Sequence, residues 1–414
     1  MELSFFKKRD NSFLILDIGT EAVKALVVSF AKREKILERR ILAFGLEYYK
    51  ESDIFIKNGL DFEAIKQGIE AAVKNCLNNL ALSVLERKTK DKILKKKKWE
   101  VFVSFSSVFL RAGIKEEIFL RDAANRKISK QEKEKIEKTV LEQAKKKIAD
   151  DFFKKTGILA KDIYWLKGKI LEKRINGYPV DDIDGLKGKE LYFKILIGYS
   201  PLSYFLSLKK IIESLDIKIR KIIHLAEALS VLNFLNEKNA FFIDIGGSAT
   251  QFLAVKGGKL ERINDFSRGG LFLTRALEEK FGFEESMARL IKEKHFFHSL
   301  SQSADERVKE IFSKEAKNWY NDFRKVLNDS GDIGLFNLDI FLFGGGSCSR
   351  EIKEVFQTKK PDNFFNFSND SISVDFLNLK DLDFFFKADK EIKQKIDTPQ
   401  WIPILLVLSS LQVF

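Results

Sequence analysis

The sequence has few of the residues that mark disulfide-rich, zinc-binding or linker-rich proteins. Among 414 residues there are two cysteines and three histidines, too few for a disulfide framework or a cysteine–histidine zinc site. His295 and His298 stand three apart on a predicted helix, and we expect them on a solvated helix face. Five prolines and no Pro-, Gly- or Ser-rich stretch indicate domains that pack together or are nested.

Long apolar segments are also missing. No stretch approaches the roughly 20 uninterrupted apolar residues of a transmembrane helix. Residues 1–10 lack the apolar core of a signal peptide. We expect a disordered leader there, with weak attachment to an anionic membrane through Phe5, Phe6 and the following cations as the alternative. The apolar stretch 401–414 is too short to span a bilayer and predicts a buried final helix.

Length and charge set the broad class. A chain of 414 residues is too long for one core and predicts two or more domains. The formal net charge of +13 reflects an abundance of lysine. The clearest basic run, residues 95–98, is interpreted as a solvated junction before a strand, so no nucleic-acid partner is predicted.

The chain contains an internal repeat. Residues 13–20 form an apolar run that ends in Asp17, Ile18, Gly19 and Thr20, and residues 241–248 repeat this pattern around Asp244. Each copy is followed by two further short apolar runs and then by a helical pattern, at 62–80 and at 270–281. The repeat therefore predicts two three-stranded β-meanders, each with an aspartate at the end of its first strand and a glycine in its first turn.

Two other regions complete the organisation. An apolar strand at 338–343 leads into a glycine turn and a helix, a layout that lets a ligand approach the backbone closely. Residues 99–199 lie outside the repeat and predict an α+β module, with strands at 101–106, 163–173 and 190–198. Its charged helix at 129–153 begins with a plausible capping box, Ser129 and Glu132.

These residue types suit a nucleotide. Tight glycine turns present consecutive backbone amides to phosphate, and two aspartates beside phosphate are tolerable when Mg²⁺ lies between them, held partly through water. An isolated Asp-Ile-Gly is only a strand and a turn, but two matched copies with a third glycine turn are more specific. The pattern predicts a site for ATP and Mg²⁺. Its phosphate-binding residues are Gly19, Thr20, Gly246, Gly247 and Ser248, and its metal-binding residues are Asp17 and Asp244. Its adenosine-binding residues are Gly344, Gly345, Gly346 and Ser347.

At these motifs the chain resembles the actin, Hsp70 and sugar-kinase superfamily, and within it most closely the FtsA family. The insert follows the first helix, where FtsA carries its SHS2 subdomain, and residues 175–181 and 185–191 resemble the end of that subdomain. The resemblance implies an α/β, duplicated actin-like (ribonuclease H-like) ATPase fold with an inserted α+β SHS2 subdomain. It places the first half at 1–98 and 200–239, the insert at 99–199 and the second half at 240–414, with a divergent region near 283–336.

FtsA-like proteins bind ATP, assemble into actin-like filaments and tether FtsZ polymers at the cytoplasmic membrane. The resemblance therefore implies a cell-division adaptor at the inner face of the membrane, with an FtsZ-like partner and self-association. PilM shares the nested layout, so a type IV pilus scaffold that binds a pilus inner-membrane protein is the alternative. A small-molecule kinase is less favoured because Gln251 stands at the acidic position of the motif. No residue stands out as a general base, so at most a slow ATPase is expected.

Of three further positions, two differ from the FtsA pattern and one matches it. Glu21 stands where that family has a small hydroxyl residue. Arg289 stands where the family has a glutamate that contacts the ribose, and Lys292 matches the lysine that accompanies it. The resemblance thus assigns Lys292 to the adenosine site.

Overall fold

The chain folds as an α/β protein in a computed structural model that describes residues 12–33, 36–50, 54–56, 59–83, 85, 87–96, 98–232, 239–329, 339–358 and 373–412. The leader at residues 1–10 lies outside these ranges. The strands are β1 Ser12–Ile18, β2 Ala22–Arg33, β3 Ile36–Tyr48, β4 Phe55–Ile56, β5 Gly59–Leu60, β6 Trp99–Phe105, β7 Arg111–Leu120, β8 Ile163–Trp165, β9 Lys169–Ile175, β10 Tyr178–Val180, β11 Glu190–Pro201, β12 Ile217–Ile222, β13 Ala240–Ile245, β14 Thr250–Lys256, β15 Lys259–Phe266, β16 Asp339–Phe343 and β17 Ser373–Phe376. The helices are α1 Phe62–Leu82, α2 Arg87–Leu94, α3 Lys130–Thr156, α4 Leu202–Ser214, α5 Leu225–Leu229, α6 Leu271–Phe281, α7 Glu285–Phe296, α8 Gln302–Asp329, α9 Arg350–Thr358, α10 Lys390–Ile396 and α11 Ile402–Ser410.

Two five-stranded sheets have the same construction. The first has the order β12-β6-β1-β2-β3, and the second has the order β17-β16-β13-β14-β15. In each, three antiparallel strands form a meander, and the remaining two strands lie parallel to its first strand. The duplication predicted from the repeated sequence pattern is therefore confirmed. We call the part built on each sheet the first half and the second half.

The predicted boundary of the insert at residue 99 is wrong. Strand β6 pairs in parallel with β1 along Leu14–Ile18, so it belongs to the sheet of the first half. The insert instead spans β7 to β11 and forms a separate sheet of order β10-β9-β11-β7, with β8 pairing to β11. Strand β6 lies between β1 and β12 in the first sheet. In the insert, β7 is the edge strand and pairs with β11.

Local sequence explains the main helices. Asp61 caps α1 by accepting a hydrogen bond from the Ala64 backbone N–H at 2.9 Å. Ser129 caps α3 by accepting one from the Glu132 N–H at 3.2 Å, and Gly157 ends that helix in the left-handed conformation. The α3 face that packs on the insert sheet carries Ile136, Val140, Ala144 and Ile148, a helical spacing.

One apolar core contains residues of both halves. It contains Phe13 and Ile15 of β1, Phe242 of β13 and the buried residues of α11. The final helix expected from the apolar stretch after residue 401 is thus α11. Among the described residues, no helix combines the length and apolar character needed to cross a membrane.

Candidate functional site

The two aspartate–glycine turns have the same local structure. In the first, the Gly19 N–H donates to the Ala22 carbonyl at 3.0 Å, and in the second the Gly246 N–H donates to the Ala249 carbonyl at 3.0 Å. Each turn follows the first strand of its meander. We refer to residues 17–22 and 244–249 as the first and second hairpins.

The two hairpins face each other and are in direct contact. The Ser248 backbone N–H donates to the Thr20 hydroxyl at 2.9 Å. A Cβ placed on Gly247 would lie 2.7 Å from the Thr20 Oγ1 and 2.8 Å from the Glu21 Cβ, which is too close for any side chain. The structure therefore brings Gly19, Thr20, Gly246, Gly247 and Ser248 together, as a shared ligand site requires.

The two aspartates lie within electrostatic range of each other but in different surroundings. Asp17 forms an ion pair with Lys24 at 3.0 Å and accepts a hydrogen bond from Ser104 at 2.8 Å. Asp244 is half-buried, and its enclosed Oδ1 accepts no hydrogen bond from any residue that the structure describes. Burial, and next the charge of Asp17, raise the pKa of Asp244 to about 7.

This pair provides one test of whether a cation suits the site. A buried carboxylate oxygen with no partner is a group that a cation would satisfy, and Asp17 lies within electrostatic range of it. Within the described ranges, no group of three or more His, Cys, Asp or Glu side chains is arranged to hold a metal ion. Protein oxygens at this position would therefore supply only part of a Mg²⁺ coordination shell.

The third glycine turn packs against the second hairpin. Gly344 adopts φ 87°, and a Cβ there would lie 2.3 Å from the Asp244 Oδ1. The Gly270 N–H, at the start of α6, donates to the Gly246 carbonyl at 2.6 Å. Ser347 is buried and its hydroxyl donates to the Gly344 carbonyl at 2.8 Å. Gly344, Gly346 and Ser347 are thus part of a tight packing of backbone on backbone.

Lys292, assigned to the adenosine site by resemblance, is engaged across the cleft. Its ammonium lies 2.7 Å from the Glu21 carboxylate, and the two side chains are 5% and 13% exposed. Three residues earlier on α7, the Arg289 guanidinium donates to the Tyr49 carbonyl at 3.0 Å. Both residues of α7 therefore bind the first half.

Direct contacts join the two hairpins to each other. The Ser248 N–H, a predicted phosphate donor, is bound to Thr20, and the two turns are in van der Waals contact. A cavity of about 260 Å³ lies beside the second hairpin, between Ser248, Arg268 and Arg275. Its lining includes neither Lys292 nor the 344–347 turn, so it is distinct from the predicted adenosine site.

Sequence reasoning missed a buried ionic cluster next to this region. His295 is 1% exposed, and its two ring nitrogens lie 2.6 Å from Asp305 and 3.0 Å from Glu351. Arg350 pairs with both of these carboxylates. The expectation of a solvated face for His295 is wrong, because α8 and α9 cover that side of α7. Nothing in the local spacing of His295 indicates partners 10 and 56 residues away.

Comparisons with known proteins identify the fold. No protein-family model matches the chain, and no curated protein matches it. A structure of the PilM–PilN type IV pilus biogenesis complex is similar, with 14% identity, 96% of this chain and 97% of that chain covered, and a TM-score of 0.60. The ethanolamine utilization protein EutJ from Carboxydothermus hydrogenoformans shows 11% identity, coverage of 96% and 91%, and a TM-score of 0.45. MreB5 of Spiroplasma citri bound to ADP shows 13% identity, coverage of 93% and 98%, and a TM-score of 0.42.

The chain therefore has the duplicated actin-like ATPase fold with an inserted α+β module, as the sequence predicted. Two sheets of identical strand order, joined by one core, define this class. Within it, the likeness to the PilM–PilN structure extends over nearly the whole of both chains.

Proposed function

We propose that this chain is an actin-like assembly adaptor, a scaffold that holds a partner protein, and that ATP with Mg²⁺ binds between its two halves. The observation that carries the proposal is the convergence of two equivalent aspartate–glycine hairpins on one cleft, with an unsatisfied carboxylate oxygen at Asp244. Duplicated turns that meet in this way suit a ligand held by both halves. A scaffold that such a ligand rigidifies can couple its own closure to partner binding.

An adaptor is favoured over a small-molecule kinase by the chemistry of the second hairpin. A kinase requires a carboxylate poised to accept the proton of the attacking hydroxyl. Gln251 occupies the acidic position of the motif, is buried, and lies 3.5 Å from His224. Burial lowers the pKa of His224 to about 4, so its ring is neutral near pH 7. Neither group supplies a carboxylate at that position.

Each part of a bound nucleotide would contact residues of matching chemistry. Backbone amides of Gly19, Thr20 and 246–248 suit phosphate, the carboxylates of Asp17 and Asp244 suit Mg²⁺ through water, and Lys292 with the 344–347 turn suits the nucleoside. The bound cation would supply the positive charge that the two carboxylates and the phosphates share. The two sheets would hold these binding groups in position.

A type IV pilus scaffold is the first candidate for the adaptor role. It is supported by the fold likeness to the PilM–PilN structure, which covers 96% of this chain. A cell-division adaptor that tethers FtsZ-type filaments is the second candidate, favoured by the likeness of residues 175–181 and 185–191 to the FtsA family. Both roles imply a location at the cytoplasmic face of a membrane and association with copies of the chain.

Partner identity tests the proposal directly. The full chain, with and without ATP and Mg²⁺, is titrated with the N-terminal peptide of a pilus inner-membrane protein and, separately, is sedimented with FtsZ polymers. We expect saturable binding of the peptide and no co-sedimentation with FtsZ. The opposite pattern would support the division role, and binding of neither partner would contradict the adaptor proposal.

A further inference from the structure

A cluster of ionisable side chains joins three helices of the second half. His295 projects from α7, Asp305 from α8, and Arg350 and Glu351 from the start of α9. The ring of His295 and the carboxylate of Glu351 are each only 1% exposed. Phe312 of α8 packs edge-on against the imidazole, with 5.1 Å between the ring centres. His295 and Glu351 are therefore enclosed by protein, where charges are weakly screened.

Both ring nitrogens of His295 face carboxylate oxygens. The Nδ1 atom lies 2.6 Å from Asp305, and the Nε2 atom lies 3.0 Å from Glu351. A neutral imidazole has one N–H group and one lone pair, so it can donate to only one of these two acceptors. Its other nitrogen would present a lone pair to a carboxylate oxygen. Only the doubly protonated ring, which carries a positive charge, donates to both carboxylates.

The two carboxylates are held in the ionised form by their other partners. Burial opposes ionisation of Glu351, but hydrogen bonds from His295 and Ser349 act against it, and the net effect lowers the pKa of this group. Burial likewise opposes ionisation of Asp305, but the hydrogen bond from Arg350 acts against it, and the pKa of Asp305 is also lowered. Neither carboxylate therefore offers a proton to a neutral imidazole.

The charges of the cluster balance only when His295 is protonated. Asp305 and Glu351 contribute two negative charges, and Arg350 contributes one positive charge paired with both of them. A positive His295 brings the sum to zero, whereas a neutral ring leaves one negative charge in excess. An uncompensated charge in an enclosed site is strongly unfavourable.

The neighbouring ionisable groups do not change this balance. The Arg350 guanidinium has only donors, so the Nδ1 of His298, 3.1 Å away, is an acceptor and that ring is neutral. Further along α8 and α9, Lys309 and Glu354 form an exposed pair that adds no net charge. The positive charge that compensates the second carboxylate therefore has to come from His295.

The cluster also connects two parts of the predicted nucleoside site. Lys292 lies three residues before His295, so the two side chains project from the same face of α7. Ser349 follows the 344–347 turn, and its buried hydroxyl donates to Glu351 at 2.7 Å. Glu351 thus contacts both the histidine of α7 and the residue that follows the glycine turn. Through Glu351, α7 and this turn are held together.

From this geometry we infer that His295 is doubly protonated at neutral pH and is a positioning residue that fixes Lys292 relative to the 344–347 turn. The inference rests on the proposed function for the identity of the ligand, whereas the charge of His295 and the placement of α7 do not depend on a ligand. His295 acts through Lys292 and the turn. Removing its charge leaves the two parts of the nucleoside site without their common attachment.

Nuclear magnetic resonance measures the charge of His295 in the full chain labelled with ¹⁵N at histidine. His224 is the internal reference, because its Nδ1 accepts a hydrogen bond from the Ala226 N–H at 3.0 Å and burial lowers its pKa to about 4. At pH 7 we expect one unprotonated ring nitrogen at His224 and two protonated ring nitrogens at His295. The chain has three histidines, so His224→Gln and His298→Gln assign the signals without changing His295. An unprotonated nitrogen at His295 would overturn the inference.

Amide hydrogen exchange without nucleotide tests the positioning role. In His295→Gln we expect about tenfold faster exchange in peptides 286–296 and 344–351, with α3 unchanged. Adding Glu351→Gln removes the excess negative charge, so we expect exchange to return to near the wild-type rate. Glu117→Gln is the matched control, because Glu117 is a buried carboxylate paired with Lys147 inside the insert.

Two exchange results contradict the positioning role. One is a wild-type rate in both peptides of His295→Gln. The other arises if His295→Gln exchanges rapidly throughout the chain, which signals unfolding. The double variant then decides, because recovery supports the role of the charge and continued rapid exchange contradicts it.

Calorimetric titration with ATP and Mg²⁺ connects the cluster to the proposed function. We expect the Kd of His295→Gln to be about tenfold higher than that of the wild type and of Glu117→Gln, with recovery in the double variant. Equal affinity of His295→Gln and the wild type contradicts the positioning of Lys292. If the wild type itself binds no ATP, the nucleotide element of the proposed function fails, and the resonance and exchange measurements decide the role of His295.

Discussion

The two halves of the molecule share a strand order but treat their equivalent aspartates differently. Across the first hairpin, Asp17 pairs in register with Lys24, and across the second, Asp244 pairs in register with Gln251. Lys24 neutralises Asp17 at 3.0 Å, whereas Gln251 is directed to His224 and leaves one Asp244 oxygen without a partner. The cross-strand lysine, together with Ser104, satisfies Asp17, and the second hairpin leaves one oxygen of Asp244 open to a cation.

The difference also shows how a duplicated fold becomes asymmetric. The first half carries the insert, whose β11 ties it to the second half through Lys194 and Glu261 at 2.6 Å. The second half carries α7 and α8, and Lys292 and Arg289 of α7 contact the first half. Each half thus contributes one element that reaches across to the other.

The largest expected effect is the pH dependence caused by Asp244. Its pKa is raised from 3.8 to about 7, so the folded protein keeps a proton that the unfolded chain releases. Stability therefore falls as pH rises from 4 toward 7, and the whole loss is present above pH 7. At about 1.4 kcal/mol per pKa unit the upper limit is about 4 kcal/mol.

Urea unfolding of the wild type and of Asp244→Asn at pH 5 and pH 8 measures this effect. The variant should lack the loss between the two pH values and should exceed the wild type in stability at pH 8. A wild-type protein that is equally stable at both pH values, or a variant that keeps the loss, would show that Asp244 is not the source.

The second effect comes from making the first hairpin resemble the second. Lys24→Gln removes the cation beside Asp17, and the pair is only 12% and 10% exposed. Loss of one partner of an enclosed ion pair leaves a buried charge and should cost about 3 kcal/mol at pH 8. Urea unfolding reports the value. Lys209→Gln is the control, since Lys209 belongs to an exposed pair with Glu213 and should change stability by less than about 0.5 kcal/mol. A loss of similar size in both variants would contradict the contrast between the hairpins.

A smaller effect is expected where the third glycine turn meets Asp244. Gly344→Ala places a methyl group at positive φ and 2.3 Å from the Asp244 Oδ1, so we expect a loss of about 2 kcal/mol. Gly157→Ala has φ 74° but open space around the added methyl, and it should cost about 1 kcal/mol. Thermal unfolding compares the two variants. Equal losses would mean that the close approach to Asp244 adds nothing beyond backbone strain.

Much of the fold follows from local sequence, because the features concerned are themselves local. The meanders, the glycine turns at 19 and 246, the cap of α1 at Asp61 and the last helix are set by alternation, turn residues and periodicity within a few residues. The repeat then makes the duplicated architecture evident without any knowledge of distant contacts. The convergence of the hairpins follows from the duplication, and Thr20 and Ser248 are in contact in the structure.

What sequence reasoning could not supply are contacts between distant residues. The local pattern places strand β6 in the insert, because nothing near it specifies its pairing with β1 far earlier in the chain. In the sequence, Glu21 and Arg289 stand out only as departures from the FtsA pattern, yet Glu21 pairs with Lys292 across 271 residues. The buried cluster at His295 likewise depends on helices that follow it in the chain.

A disulfide trap of the two hairpins tests their contact most directly. Thr20→Cys and Ser248→Cys are combined in the nucleotide-free full chain, and mild oxidation is followed by mass spectrometry of the linked peptides. Direct contact of the hairpins predicts rapid formation of the 20–248 crosslink in most molecules, with none in either single variant. A double variant in which residues 20 and 248 remain unlinked would contradict the meeting of the two hairpins over one site.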